Sequence, residues 1–312
     1  MLFDSIYGNE PIKGYLRSSL KEGRLAQTLL FEGMEGVGKS LFALELAAHL
    51  LETPIAKVKL ETHPDFHVLR PEGKSGLHAI DALRECIEKV YEAPFSAKRK
   101  VFVIHDAERM QAPSANAILK TLEEPPLDTT IILITSQTRS LLPTILSRCI
   151  QLHFHPLSHD SIENILKGLQ LNPDFARLSH GSAATAMLFA TDESFVEMQK
   201  TLLSLLAKPL FYPDLVDSIE SIETLLEPIK EENPVAYHRR VDLLFASLLM
   251  WARDQVMRPI GGAKLFFESQ PEGKFLGTLS RFEETLQEAM FAFQRNIRLS
   301  SCLEQCFLAF YR

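Results

Sequence analysis

Residues 33–40 read GMEGVGKS, between a short apolar run at 27–31 (QTLLF) and an Ala- and Leu-rich run at 41–51 (LFALELAAHLL). The octet is a complete G-x-x-x-x-G-K-S phosphate loop. Gly33, Gly36 and Gly38 let backbone N–H groups turn inward around phosphates, Lys39 reaches the β/γ-phosphates, and Ser40 ligates Mg²⁺ through the nucleotide at the N-terminus of the next helix. The flanking runs supply the required frame, an apolar strand before the loop and a helix-forming segment after it. ATP and Mg²⁺ are the expected cofactors.

Working outward, the segment VFVIHD at 101–106 is the strand that should complete the metal site, and it puts His105 where a carboxylate belongs. A neutral imidazole beside a cationic metal site cannot steady Mg²⁺ as a carboxylate does. Asp106 follows at the water-orienting position, usually a longer Glu. Successive strand side chains point to opposite faces, so Asp106 does not simply replace its neighbour. Asp106 is therefore carried as a degenerate nucleotide-site carboxylate. Nucleotide binding is expected, with ATP hydrolysis weak or absent.

The first half alternates strand and helix. After the loop and its helix come a strand at 65–69 (DFHVL), an amphipathic helix at 80–91, and a strand at 100–105. A helix at 114–124 is stopped by Pro125 and Pro126, and strands follow at 130–135 (TIILIT) and 150–154. Strands this apolar, separated by helices, indicate an α/β domain with a parallel sheet covered on both faces. Beyond Pro156 short helical patterns appear, and from about 201 longer amphipathic helices, with breaks near Pro234, Gly261, Gly262 and Gly273. The expected domains are 1–157, 158–200 and 201–312.

The 312 residues leave room for two or three cores. Charged residues make up 23% and hydrophobic ones 46%, the balance of a soluble globular chain. A net charge of −7 gives no whole-chain field to attract nucleic acid. The opening MLFDSIYGNE has no basic–apolar leader pattern, and the longest apolar stretch, 241–252, is too short to span a bilayer. A cytoplasmic location is expected. Cys86, Cys149, Cys302 and Cys306 form no C-x-x-C pair, and core packing is the expected role of the last two.

ANAILKTLEEPP (115–126) and TSQTRSLLPTILSRC (135–149), together with the phosphate loop, occur in the order found in AAA+ clamp loaders, and the chain resembles that family. GRLAQTLLFEG before the loop, HPDFHVL at 63–69 and NIRLSSCLEQ at 296–305 extend the likeness over nearly the whole chain, thinner after 157. The resemblance implies an AAA+ nucleotide-binding domain, a small helical lid and an all-α C-terminal collar that joins subunits into a hetero-oligomer. It also implies partners: other clamp-loader subunits and, through the complex, the sliding clamp and primed DNA. By resemblance Arg148 in SRC is the arginine finger that reaches ATP on an adjacent subunit, Thr135 is the polar sensor at the end of the fourth strand, and residues 6–8 pack around adenine.

Departures from the family carry information too. The family's four-cysteine zinc module has no counterpart in 52–61, so no zinc is expected. GSAATAM at 181–187 aligns with a sensor segment where hydrolysing subunits carry arginine, and Ala184 stands there. With His105 this removes two hydrolytic parts and leaves Arg148, the pattern of a subunit that completes a neighbour's site. Such a chain has no polymerase chemistry of its own. The rivals are an independently active AAA+ ATPase, a small-molecule P-loop kinase, and a scaffold with a vestigial loop. His63 and His67 are read as structural, and the KRK at 98–100 as a solvated turn.

Overall fold

Alternation of side chains decides how the sheet is covered. Five strands, β1 (Thr28–Glu32), β2 (Phe66–Leu69), β3 (Lys100–Ile104), β4 (Thr129–Thr135) and β5 (Ile150–His153), pair in the order β2-β3-β4-β1-β5. All four pairings are parallel. The register aligns Val68, Val103, Ile132 and Leu29 in one row and Leu69, Ile104, Leu133 and Leu30 in the next. With a period of two, the first row enters one core and the second row the other. Leu29, Val103 and Ile132 pack with Phe31, Phe42, Leu46 and Phe154. Leu30, Ile104 and Leu133 pack instead with Leu83, Ile118, Leu122 and Ile145.

The helices that cover these faces are α1 (Glu10–Lys21), α2 (Lys39–Leu50), α3 (Ile55–Lys59), α4 (Ile80–Tyr91), α5 (Ala112–Glu123) and α6 (Pro143–Leu146). They are followed by α7 (His159–Gly168) and α8 (Ala183–Thr191). Leu16 of α1 and Phe42 and Leu46 of α2 sit on the first face; Leu83 of α4, Ile118 and Leu122 of α5 and Ile145 of α6 sit on the second. This computed structural model describes residues 2–71, 76–206, 211–260, 266–267 and 278–310. They divide into two compact units, one up to Met187 and one from Leu188.

A strand end and a basic residue differ from the sequence reading, each for a local reason. Asp65 lies outside β2 because its carboxylate accepts N–H bonds from Phe95, Ser96 and Ala97 and the Ser96 hydroxyl. Although burial opposes it, this set of donors holds the Asp65 pKa down to about 2. Lys100, read as part of a solvated turn, is instead buried at the start of β3. Its ammonium donates to the carbonyls of Lys89, Val90 and Glu92 at the end of α4. His63 Nδ1 accepts the Asp65 N–H at 3.2 Å, and His67 stacks on Phe102 at 4.6 Å.

The second unit is helical: α9 (Glu193–Leu206), α10 (Tyr212–Glu232), α11 (Pro234–Met257), α12 (Leu279–Gln294) and α13 (Leu299–Phe310). The break expected near Pro234 is the α10–α11 junction, where Asn233 caps α11 by accepting the Ala236 N–H. The breaks expected at Gly261, Gly262 and Gly273 lie outside the described residues. Phe195, Leu202, Leu215, Ile222, Trp251 and Phe307 are buried. Cys302 and Cys306 are buried with them, and burial pushes the Cys306 thiol up to about 12. Among the described residues no helix is long and apolar enough to cross a membrane.

Candidate functional site

The phosphate loop leaves β1 at Glu32 and enters α2 at Lys39, so it sits at the C-terminal edge of the sheet, where ligands of such folds bind. Gly36 makes the local geometry possible. It has φ +80°, and a Cβ there would collide with Ser182 Oγ and Ala184. Gly38 caps α2 in the left-handed region, and Gly33 also has positive φ. The segment leading into α8 lies directly on the loop, with the Ala183 N–H donating to the Gly36 carbonyl at 2.9 Å.

A cavity of about 670 Å³ opens above the loop, within the size range of nucleotide-class ligands. Its walls are Glu35–Leu41 of the loop and α2, Ser5–Tyr7 from the N-terminal segment, His105, Asp106 and Ser136 from the strand ends, and Asn164, Ile165, Gly168 and Leu169 with Ala184 and Met187 from the following helices. Of residues 6–8, Ile6 and Tyr7 line it and Gly8 does not. Lys39 is buried and its Nζ donates to the carbonyls of Gly33 (2.5 Å) and Met34 (2.7 Å). Burial pulls its pKa down to about 8, against the opposing pull of Glu35, Glu108 and Asp106. A phosphate chain would supply the negative charge this buried ammonium lacks, so the donor set fits one.

Beyond β3 the simple alternation ends. β3 stops at Ile104, Asp106 adopts φ +49°, ψ +51°, and both His105 and Asp106 line the same cavity. His78 fixes this turn by donating Nε2–H to the carbonyls of His105 (2.7 Å) and Asp106 (3.3 Å). Burial first, then Arg70, drives the His105 pKa to about 4, so its imidazole is neutral at pH 7. Asp106 is shifted the other way: burial and then the neighbouring Glu108 raise its pKa.

At the end of β4, Thr135 is fully buried and its Oγ1 accepts the Gln137 N–H at 3.1 Å. The hydroxyl at the cavity wall belongs to the next residue, Ser136. Glu108 holds it: Oε1 accepts both the Ser136 N–H (3.1 Å) and the Ser136 hydroxyl (2.7 Å). Neither Ser136 nor Glu108 stands out in the sequence, because their meeting depends on where two strands end. Gly36, Gly38, Lys39, Ser40 and Asp106 come together at the cavity, whereas Gly33, Thr135 and Arg148 are not among its lining residues. Arg148 follows α6 at the sheet's far side, where its backbone carbonyl accepts the Thr28 hydroxyl and its guanidinium pairs with Glu123.

Residues 8–158 match the family model described as DNA polymerase III, delta subunit. The DNA polymerase III subunit delta' of Bacillus subtilis is 35% identical over 205 residues, 61% of this chain and 61% of that protein. The delta' subunit of Pseudomonas aeruginosa is 36% identical over 179 residues, 52% of this chain and 55% of that one. The chain thus spans about six-tenths of the length of these relatives. A DNA polymerase III gamma subunit-related protein of Thermotoga maritima superposes with a TM-score of 0.50 at 19% identity, covering 95% of this chain and 98% of that one. The shared fold is a parallel α/β sheet followed by helices.

Proposed function

We propose, from its resemblance to the delta-prime subunits of DNA polymerase III, that this chain is a clamp-loader subunit that binds ATP with Mg²⁺, hydrolyses it weakly or not at all, and donates Arg148 to the nucleotide site of a neighbouring subunit. Residues 1–157 would bind the nucleotide, 158–200 would form a lid, and 201–312 would form the collar that joins subunits. The clamp and primed DNA would be met through the assembled complex.

The observation that carries the reading is the separation of parts. The loop, Lys39 and Ser40 face the cavity, while Arg148 lies away from it beside Glu123. Phosphoryl transfer requires a metal held by carboxylate, a positioned water and a cation on the transferring group. His105, whose imidazole is neutral at pH 7, and Ala184 both line this chain's own cavity, at positions where the resemblance implies a metal-side carboxylate and an arginine in hydrolysing subunits. Arg148 is in turn free of duty at the chain's own site, as a group used in trans would be.

Asp106 lining the cavity favours a second reading, an independently active ATPase in which this carboxylate takes over the work of the missing one. Turnover separates the two. The purified, monodisperse chain should bind ATP–Mg²⁺ saturably by calorimetry, lose that binding with Lys39→Ala, and release phosphate at a negligible rate. Robust hydrolysis that disappears with Lys39→Ala would overturn the proposal in favour of the second reading.

A further inference from the structure

Arg148 is gripped along one edge. Its Nε and Nη2 both donate to Glu123 Oε2, at 3.0 and 2.8 Å, and Nη1 donates to the Thr144 carbonyl at 3.1 Å. A guanidinium carries five N–H donors in a rigid plane. The side-on edge is therefore committed to the carboxylate and the opposite flank to a backbone carbonyl. What remains is the end-on pair, one N–H on Nη2 and one on Nη1, the latter touching Ser147 Oγ only at a long 3.4 Å. That pair has the spacing for two-pronged contact with a phosphate.

The chain beside each partner is tied to the start of β1, through Gln27 just before the strand and Thr28 at its first position. Gln27 Nε2 donates to the Pro126 carbonyl just past the end of α5, which carries Glu123, and Thr28 Oγ1 donates to the Arg148 carbonyl. Pro125 and Pro126 end that helix abruptly, so Glu123 sits in its last turn with little freedom to drift. The ion pair itself is too exposed, with 29% of the Arg148 and 58% of the Glu123 side chain accessible, to matter much to folding stability. Its geometry is better suited to aiming the guanidinium than to holding the fold together.

We propose that Glu123 is a positioning residue: it fixes the side-on edge of Arg148 so that the end-on fork is presented, already oriented, to the phosphate chain of a nucleotide on an adjacent subunit. This rests on the reading of Arg148 as a group donated in trans. Pre-orientation saves the ordering of a long side chain at the moment of phosphoryl transfer, so its loss appears in turnover and not in substrate binding.

The test uses this chain reconstituted with its neighbouring subunits, hydrolysis at every other nucleotide site being blocked by substitution in those subunits. Glu123→Ala should lower kcat about tenfold with KM unchanged, well short of the roughly 10³–10⁵ that loss of a finger costs. Glu123→Gln, which keeps the acceptor oxygen, should restore most of the rate. In an Arg148→Ala background Glu123→Ala should cost nothing further, because there is no longer a guanidinium to aim. Wild-type or faster turnover in Glu123→Ala alongside an impaired Arg148→Ala would overturn the positioning role alone, whereas unimpaired Arg148→Ala would overturn the finger reading beneath it. A second measurement needs no partner: in the isolated full chain the Arg148 Nε–H should be ordered by NMR and become mobile in Glu123→Ala. Equal mobility in the two chains would show that the grip is absent.

Discussion

On the proposed reading, Lys39 should make nucleotide affinity depend on pH in a range where ATP itself does not titrate. Its ammonium is buried, and its pKa is lowered from 10.5 to about 8. Only the protonated form offers a charge to the β/γ-phosphates. The protonated fraction is about nine-tenths at about pH 7 and about one-tenth at about pH 9. The apparent Kd is the intrinsic value divided by that fraction, so it should rise about tenfold across the interval, about 1.4 kcal/mol. Bound phosphate raises the lysine pKa, so calorimetry at pH 9 should also register proton uptake from buffer. The measurement is calorimetry at constant ionic strength in buffers of differing ionisation enthalpy. Lys39→Met, like Lys39→Ala, should show no saturable binding at either pH. A flat Kd in the wild-type chain would refute the assignment of Lys39 as the titrating phosphate contact. For the fold the sign is opposite. A depressed lysine pKa penalises the native state below about 8, and the penalty lifts as pH rises from about 8 toward 10.5.

Three further outcomes are expected. Asp65→Ala leaves the N–H groups of Phe95, Ser96 and Ala97 without their acceptor and should cost about 2–4 kcal/mol in urea unfolding. Because its pKa is lowered from 3.8 to about 2, the wild-type contribution is complete above 3.8 and fades as pH falls through about 2, a slope that Asp65→Ala should lack. Gly36→Ala forces a left-handed alanine and a collision with Ser182 and Ala184, so it should lower stability by more than about 1–2 kcal/mol and abolish ATP binding, checked by thermal melting and calorimetry. A chain truncated after residue 200 should still bind ATP but fail to co-elute with clamp-loader subunits on size exclusion; full-affinity assembly would show that the helical region is not the collar.

The sheet was legible because its signals are local. TIILIT and VFVI are buried on both faces and read as continuous apolar runs, and the phosphate loop carries its geometry in its glycines. What escaped lies at the strand ends, where side-chain direction depends on the residue at which the ladder stops. The alternation rule separates His105 from Asp106, but β3 has already ended and a left-handed turn brings both to the cavity. The same dependence on where a strand ends buries Thr135 and leaves Ser136 at the cavity wall. Lys100 misleads differently: a basic run looks solvated until its ammonium meets the three open carbonyls at the end of α4, a contact across an intervening turn. Glu123 and Arg148, 25 positions apart, had no sequence signal for their pairing beyond the motifs that contain them.

The cavity walls come from stretches that are remote in the chain: residues near 6, the loop near 36, and α7–α8 near 165 and 184. A purine seated among Ile6, Leu157 and Ile165 would act as an inserted keystone, joining the N-terminal segment to the helices as a core side chain would. The ligand then serves the architecture whether or not its phosphates are ever cleaved. At about one hundred times Kd it would add about 2.7 kcal/mol to the native state. On the proposed reading, the chain would keep this use of ATP as scaffolding, set in place once and turned over only at neighbouring subunits.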